Sequence, residues 1–483
     1  MNNIKICGVD LGSLKLYCED EFDLVQYADE IKEKLGITLE TETSGNKTDG
    51  VRYIEIDNTS MDYAPYSVTF SQDGILIKGS YSSVHKAARE LLTKLSEKSE
   101  LTASDDFCGS LPTKKVYTKE KLMQVLTDVY NDPDKCIIGE ESIPFINNAR
   151  KRFKDATGKD LAMVGIDLTP YGLDIANKSK AKVSRELCEA VELAYDGGIV
   201  NISTHFTNPS GKIPPGDWQH CRGHLGDYDS VAEYEQAFTD LVTKGTEYNT
   251  NFQKELTILG NFMKALHDNG IPALFRPLHE MNGYWFWWHV GQGKHYIDKK
   301  YYLALWKYIY HYVVDELGID TMLWVYAPDM QSAVANSGPG YYEKQFSMPT
   351  TYCYPGDEYC DIVGIDWYTN SIDALEITHN NSYVDVVNFS NKIGAICECG
   401  PRGAINRINL KQSTGKDVPQ VELYSSMDFY NKLIRLKDMG YSFCYLLTWL
   451  NQWSIPNWGK GDEFMNTDYA LDLKAVSKLL YEA

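Results

Sequence analysis

Short apolar runs that alternate with longer helical patterns constrain this chain more than any other feature. Beyond residue 118 the runs begin at Cys136, Leu161, Gly198, Ile271, Thr321, Asp361, Ile393 and Ser442. Between them, residues 184–194, 234–267, 301–317 and 425–437 carry apolar side chains at helical spacing. Runs such as Met163-Val164-Gly165-Ile166 and Ile362-Val363-Gly364-Ile365 do not alternate polar with apolar residues. That pattern belongs to parallel strands covered on both faces. Eight such strands interleaved with helices predict an α/β fold, a (β/α)8 TIM barrel, over residues 118–483.

A chain of 483 residues is too long for one ordinary domain, and residues 1–112 read as a separate small α+β unit. Residues 4–16 are strand-like. Leu24, Tyr27, Ala28, Ile31 and Leu35 follow helical spacing and end at Gly36, where a C-terminal cap belongs. Residues 52–56 alternate, and residues 66–70 and 75–78 flank Asp73-Gly74, a hairpin signal. Val84, Ala87, Ala88, Leu91 and Leu95 make a second amphipathic helix behind Ser82 and Ser83. Residues 96–115, charged and broken by Pro112, read as the linker. This unit is similar to the small domains that precede barrels in some hexosaminidase-like enzymes.

Loops that follow the strands carry function in a barrel of this kind. The strand ends bring Glu140 and Glu141 from the first strand, Asp167 from the second and His205 from the third. They bring Arg276, His279 and Glu280 from the fourth, Asp329 from the fifth, and Asp366 and Tyr368 from the sixth. The seventh ends in Glu398 and the eighth in Trp449. The densest stretch is Arg276-Pro277-Leu278-His279-Glu280-Met281-Asn282-Gly283-Tyr284-Trp285-Phe286-Trp287-Trp288. Core packing would explain its aromatics taken alone. It needs no Arg, His, Glu and Asn at one strand end, where buried charge is costly unless paired. Aromatic faces beside a carboxylic acid suit sugar rings, which offer C–H faces for stacking and hydroxyls for hydrogen bonds.

Cleavage of a glycosidic bond requires an acid for the leaving oxygen and a second carboxylate for the anomeric centre. Glu280 and Glu398, three strands apart on an eight-strand ring, can face each other across the mouth. Gly400 lets the chain turn sharply after Glu398. These motifs resemble glycoside hydrolase family 26, the β-mannanase family, over residues 118–483. The resemblance implies Glu280 as acid/base and Glu398 as nucleophile in a retaining reaction, with carboxyl groups roughly 5 to 6 Å apart. It also implies that Asp366 and Tyr368 organise the nucleophile, and that His205, Arg276, His279, Trp285, Trp367 and Trp449 line the substrate subsites. The expected activity is endo-acting hydrolysis of β-1,4-mannan or β-mannooligosaccharides without metal or other cofactor. His289-Val290 stands before Gly291, where many members place glycine directly after the aromatic run. That loop borders the subsites, so β-1,3-xylan and mixed-linkage β-glucan remain open as substrates.

Other residues have plainer readings. Asp361 opens a strand, and Asp329 after Pro328 reads as a cap of a helix or turn. Asn201 and Thr448 read as polar groups inside the barrel, and Trp453 and Trp458 as an extension of the sugar platform, the alternative being a cover of the barrel. Cys397 and Cys399 read as apolar fillers. The net charge of −20 excludes nucleic acid and anionic membranes as partners but is indifferent to a neutral polysaccharide. No apolar run reaches 18 residues, so no membrane span is expected. Eleven scattered cysteines and no apolar leader after Met1 suggest a monomer in the cytoplasm, the alternative being secretion with a leader removed. Two rivals are a non-catalytic carbohydrate-binding barrel and a metal-dependent hydrolase using His205, His279, Glu280 and Asp366. No HExxH spacing supports the second.

Overall fold

The computed structural model describes residues 4–19, 21–43, 47–142, 145–167, 180–210, 221, 230–283, 285–292, 295–330, 349–369, 382–401, 429–450, 453–458 and 460–482. Eight parallel strands close into a ring: β1 (Cys136–Ser142), β2 (Met163–Asp167), β3 (Ile199–Ser203), β4 (Ala273–Arg276), β5 (Met322–Tyr326), β6 (Ile362–Thr369), β7 (Ile393–Pro401) and β8 (Tyr445–Thr448). β8 pairs back onto β1, Ile137 opposite Tyr445 and Glu140 opposite Thr448, and this closes the barrel. A short strand, Ala470–Leu471, adds to β1 at Cys136 and Ile137. Every residue of β1 to β5 and of β8 is buried, which accounts for their lack of alternation.

Polar groups inside the ring need room as well as partners. Asn201 and Thr448 are buried in their strands, as expected. Glu141, fully buried on β1, accepts a 2.9 Å hydrogen bond from the Ser203 hydroxyl. Its register partner on β2 is Gly165, where a Cβ would come within 1.8 Å of the Glu141 Oε2. Glycine at 165 therefore makes space for a carboxyl group.

The helix expected over 234–267 is two helices, Val231–Val242 and Glu247–Asp268. Between them Thr243 is extended, Gly245 has φ +93°, and the Thr246 hydroxyl accepts from the Asn249 N–H. β-Branched residues around a glycine thus stop one helix and cap the next. The helix expected over 301–317 runs Lys299–His311 and ends in a π turn, Tyr312–Glu316. The stretch 425–437 yields helix Phe429–Asp438, and residues 425–428 lie outside the described residues.

Contacts divide the chain into two compact units, Met1–Lys115 with Ala176–Glu192, and Val116–Ile175 with Leu193–Ala483. The first unit contains a six-stranded sheet ordered Glu40–Glu42, Lys15–Cys18, Tyr53–Asp57, Gly74–Gly79, Pro65–Ser71, Phe107–Ser110. Helices Glu21–Leu35 and Tyr81–Glu97 pack on it through Leu24, Ile31, Val84, Ala88 and Leu91. The single strand expected over 4–16 is instead a tight hairpin, Lys5–Ile6 with Val9–Asp10, followed by a 3-10 turn. Cys7 and Gly8 both take positive φ there, which suits a primed hairpin turn. Ser80, one turn before the expected Ser82 and Ser83, caps the second helix in a reciprocal box with Ser83. The stretch expected as a linker contains strands Glu100–Leu101 and Phe107–Ser110.

Residues 180–192, which the sequence places with the barrel, cluster in this first unit. Ser184 donates to the Ser60 carbonyl at 2.7 Å and accepts from the Tyr81 N–H at 2.9 Å. Ser82 donates to Glu192 at 2.7 Å, and the Arg185 guanidinium lies 5.0 Å from the Tyr81 ring. Among the described residues no helix is long and apolar enough to cross a membrane.

Candidate active site

The turn after β4 is held in an unusual backbone. Leu278 and Glu280 have φ +49° and +54°, a region that non-glycine residues occupy at a cost of about 1–3 kcal/mol each. Hydrogen bonds from three sides fix them. The Tyr302 hydroxyl donates to the Leu278 carbonyl at 3.0 Å, the Trp288 indole N–H to the His279 carbonyl at 2.7 Å, and the Glu280 N–H to the Ala327 carbonyl at 2.8 Å. Phe286, Trp287 and Trp288 are buried, and Trp288 braces this turn. Of the described aromatics in the run, Trp285 alone is half-exposed. Its indole N–H donates to the Glu280 Oε2 at 2.5 Å.

Arg276, the last residue of β4, has a fully buried guanidinium. Nη1 donates to the Asp366 Oδ2 at 2.7 Å and Nη2 to the Glu398 Oε2 at 2.6 Å. The Tyr368 hydroxyl donates to the other oxygen of Glu398 at 2.5 Å. Register explains how these groups meet. A bulge shifts the β6–β7 pairing so that Ile365 faces Ile396 but Asp366 faces Glu398, with Cys397 as the extra residue. Bulges re-aim side chains beside functional sites. Alternation then sends Asp366 and Tyr368 to the mouth and Trp367 to the opposite face. Trp367 is fully buried, so it does not stack on substrate and the subsite reading for it is corrected.

Asp329 lies beside the acids, and the segment that it was expected to cap, residues 331–348, lies outside the described residues. It forms an isolated bridge with Asp366, and Asn282 clamps its backbone, accepting from its N–H and donating to its carbonyl at 2.8 Å each. The negative charge of Asp329 is one of the causes that raise the Glu280 pKa. Asp361 keeps the structural role read for it, accepting from the Trp324 N–H at 2.8 Å. Trp449 is half-buried, with its ring 5.9 Å from that of His205. Trp453 meets Tyr368 edge-on at 6.0 Å, whereas Trp458 is buried against Phe464 and covers the barrel.

Electrostatics separate the acids. Burial pushes the Glu280 pKa well up, and the charges of Asp329 and Glu398 push it further, against the Trp285 bond and Arg276. Burial also raises Asp366, with Arg276 opposing. For Arg276, desolvation is outweighed by Asp366, Glu398 and Glu141, so it stays cationic. Burial and the Glu398 charge keep Tyr368 a neutral donor. Burial, Arg276 and His205 hold His279 well below the ordinary histidine value. Burial sets the Glu141 carboxyl at about 8.

His279, Asp366 and Glu398 have ligating atoms within 4.8 Å of one another, the one group among the described residues with that spacing. The Arg276 guanidinium already bonds two of its members, and a fixed cation disfavours a metal ion there. The rival metal set of His205, His279, Glu280 and Asp366 is not the group that the fold assembles. Cys397 and Cys399 are buried thiols, Cys397 pushed by burial to about 12, which suits the filler role.

A parallel barrel that brings Glu280, Asp366 and Glu398 to the same end as a buried guanidinium offers the paired carboxyl groups that glycoside hydrolysis requires. The chain belongs to glycosyl hydrolase family 26, whose description matches residues 112–449. It is similar to a mannan endo-1,4-β-mannosidase of Bacillus subtilis (strain 168), 31% identical over 308 residues covering 63% of this chain and 70% of that protein. A second Bacillus subtilis protein of that name is 28% identical over 66% of this chain and 81% of its own length. The crystal structure of the YdhT protein from Bacillus subtilis matches with a TM-score of 0.56 and 25% identity, over 73% of this chain and 92% of that one.

Proposed function

We propose that this glycoside hydrolase cleaves β-1,4-mannan and β-mannooligosaccharides internally, by double displacement with retention. The observation that carries the mechanism is the contrast between the two glutamates. Glu398 is gripped by the Arg276 guanidinium and the Tyr368 hydroxyl, two donors that hold its two oxygens in place. Glu280 is driven toward its protonated form by burial and by anionic neighbours.

The Glu398 oxygen attacks the anomeric carbon while Glu280 gives its proton to the departing glycosidic oxygen, leaving a glycosyl ester on Glu398. Glu280, now a carboxylate, takes a proton from water. That water attacks the same carbon and releases Glu398. Trp285 and Trp449, both half-exposed, supply stacking faces worth on the order of 1 kcal/mol each. Stacking does not distinguish an axial from an equatorial 2-hydroxyl. The mannose preference is therefore drawn from the relatives, which carry the name mannan endo-1,4-β-mannosidase.

A product-resolved screen of soluble mannan, β-mannooligosaccharides, β-1,3-xylan and mixed-linkage β-glucan tests this. Mannans should give the highest kcat/KM, with internal cleavage products. A higher value on xylan or glucan would overturn the substrate, and sugar binding without any turnover would overturn the enzyme reading.

A further inference from the structure

Behind the two glutamates lies a row of buried groups that the proposed reaction does not use. Asp167, at the end of β2, has a fully buried carboxylate with its Oδ2 2.6 Å from the His205 Nδ1. Its Oδ1 accepts from the His205 backbone N–H at 3.4 Å. The His205 Nε2 in turn lies 3.2 Å from the Nε2 of His279, the residue immediately before Glu280. Among the described residues the Nδ1 of His279 has no hydrogen-bond partner, and His279 is buried beside Asp366 and Glu398.

Proton counting restricts this row. An ionised carboxylate accepts only, so the His205 Nδ1 carries a hydrogen. Between two Nε2 atoms in contact only one proton fits, because two N–H groups would point at each other. With His205 neutral, its Nε2 accepts, His279 donates its Nε2–H, and the His279 Nδ1 is a bare lone pair. With His205 as imidazolium, the proton direction reverses and a His279 Nδ1–H is buried without an acceptor. Orphaned buried N–H groups are rare, and a second cation would lie near Arg276.

We infer that Asp167 is a positioning residue that sets the tautomer of His205 and, through it, that of His279, leaving the His279 Nδ1 a bare acceptor buried beside Asp366 and Glu398. The chain of tautomers stands on the geometry, and the expected loss of activity rests on the proposed function.

The test is long-range 1H–15N spectroscopy of histidine-labelled protein at neutral pH, with assignments from His205→Gln and His279→Gln. The wild type should show His205 protonated at Nδ1 alone and His279 at Nε2 alone. In Asp167→Asn the amide can donate to the His205 Nδ1, and both rings should shift toward the opposite tautomers. The same variant should lose about 10²-fold in kcat/KM on mannooligosaccharides, the scale of a misplaced binding group. Asp167→Glu, which keeps an acceptor, should retain the wild-type tautomers and more of the activity. Imidazolium at His205 in the wild type, or unchanged tautomers in Asp167→Asn, would overturn the inference. If Asp167→Asn fails to fold, the wild-type spectrum decides alone. Correct tautomers in a chain that turns over no mannan would overturn the substrate reading and leave the positioning role standing.

Discussion

Glu280 and Glu398 are the same side chain with different neighbours, and the neighbours assign the roles. Removing the carboxylate in Glu398→Ala should abolish turnover of every glycoside, because no ester can form. Glu280→Ala should spare aryl glycosides whose leaving group needs no proton and cost about 10²- to 10⁴-fold on natural substrates. Steady-state kinetics on both substrate types checks the pair, and equal losses on both types in both variants would contradict the division. The pH profile carries a second expectation. The raised Glu280 pKa means that activity falls as pH climbs through it and the acid loses its proton. Asp329 contributes to that shift through its negative charge. Asp329→Asn should therefore move the alkaline limb of kcat/KM to lower pH, and an unmoved limb would show that its charge does not reach Glu280. The two glutamates and Arg276 were legible in the sequence because each lies toward the end of an apolar strand or in the turn just after it. Asp329 was not, since Pro-Asp after a strand also reads as a turn, and its nearness to Glu280 exists only once the ring has closed.

Strands and their pairings explain what the sequence could and could not tell. Eight unalternating runs were enough to count the barrel, because burial on both faces leaves that mark. The bulge at Cys397 left no comparable signal, yet it brings Glu398 opposite Asp366 and, with alternation, turns Trp367 away from the mouth. The break between helices Val231–Val242 and Glu247–Asp268 was written in Thr243, Gly245 and Thr246, but the apolar periodicity on either side masked it. Strand pairing also stores a measurable cost at Glu141. Its carboxyl in the folded chain sits at about 8, above the value of about 4.3 expected when unfolded. Across that window the folded chain keeps a proton that the unfolded chain releases. This contribution to stability is therefore lost as pH rises, on the order of 1 kcal/mol per pH unit. Glu141→Gln cannot ionise and should show a flatter fall of Tm between pH 5 and 8 (window of about the two pKa values). Parallel curves for the two proteins would contradict the buried protonated carboxyl.

At the scale of the molecule, every group assigned to the chemistry lies in the second compact unit, on residues that the family description spans. The chain carries a net charge of −20, and Arg276, buried in the site, is committed to two carboxylates. A neutral polymer can enter such a mouth without electrostatic penalty. Double displacement requires that Glu398 become covalently glycosylated during turnover. The direct measurement is mass spectrometry of the full chain after reaction with a 2-deoxy-2-fluoro-β-mannosyl donor bearing an activated leaving group. Fluorine at C2 disfavours the oxocarbenium-like transition states, and the good leaving group keeps ester formation faster than its hydrolysis. One added fluoroglycosyl group is expected, carried by the proteolytic fragment that contains Glu398. A label on Glu280, Asp329 or Asp366, or continued turnover with no label at all, would contradict it.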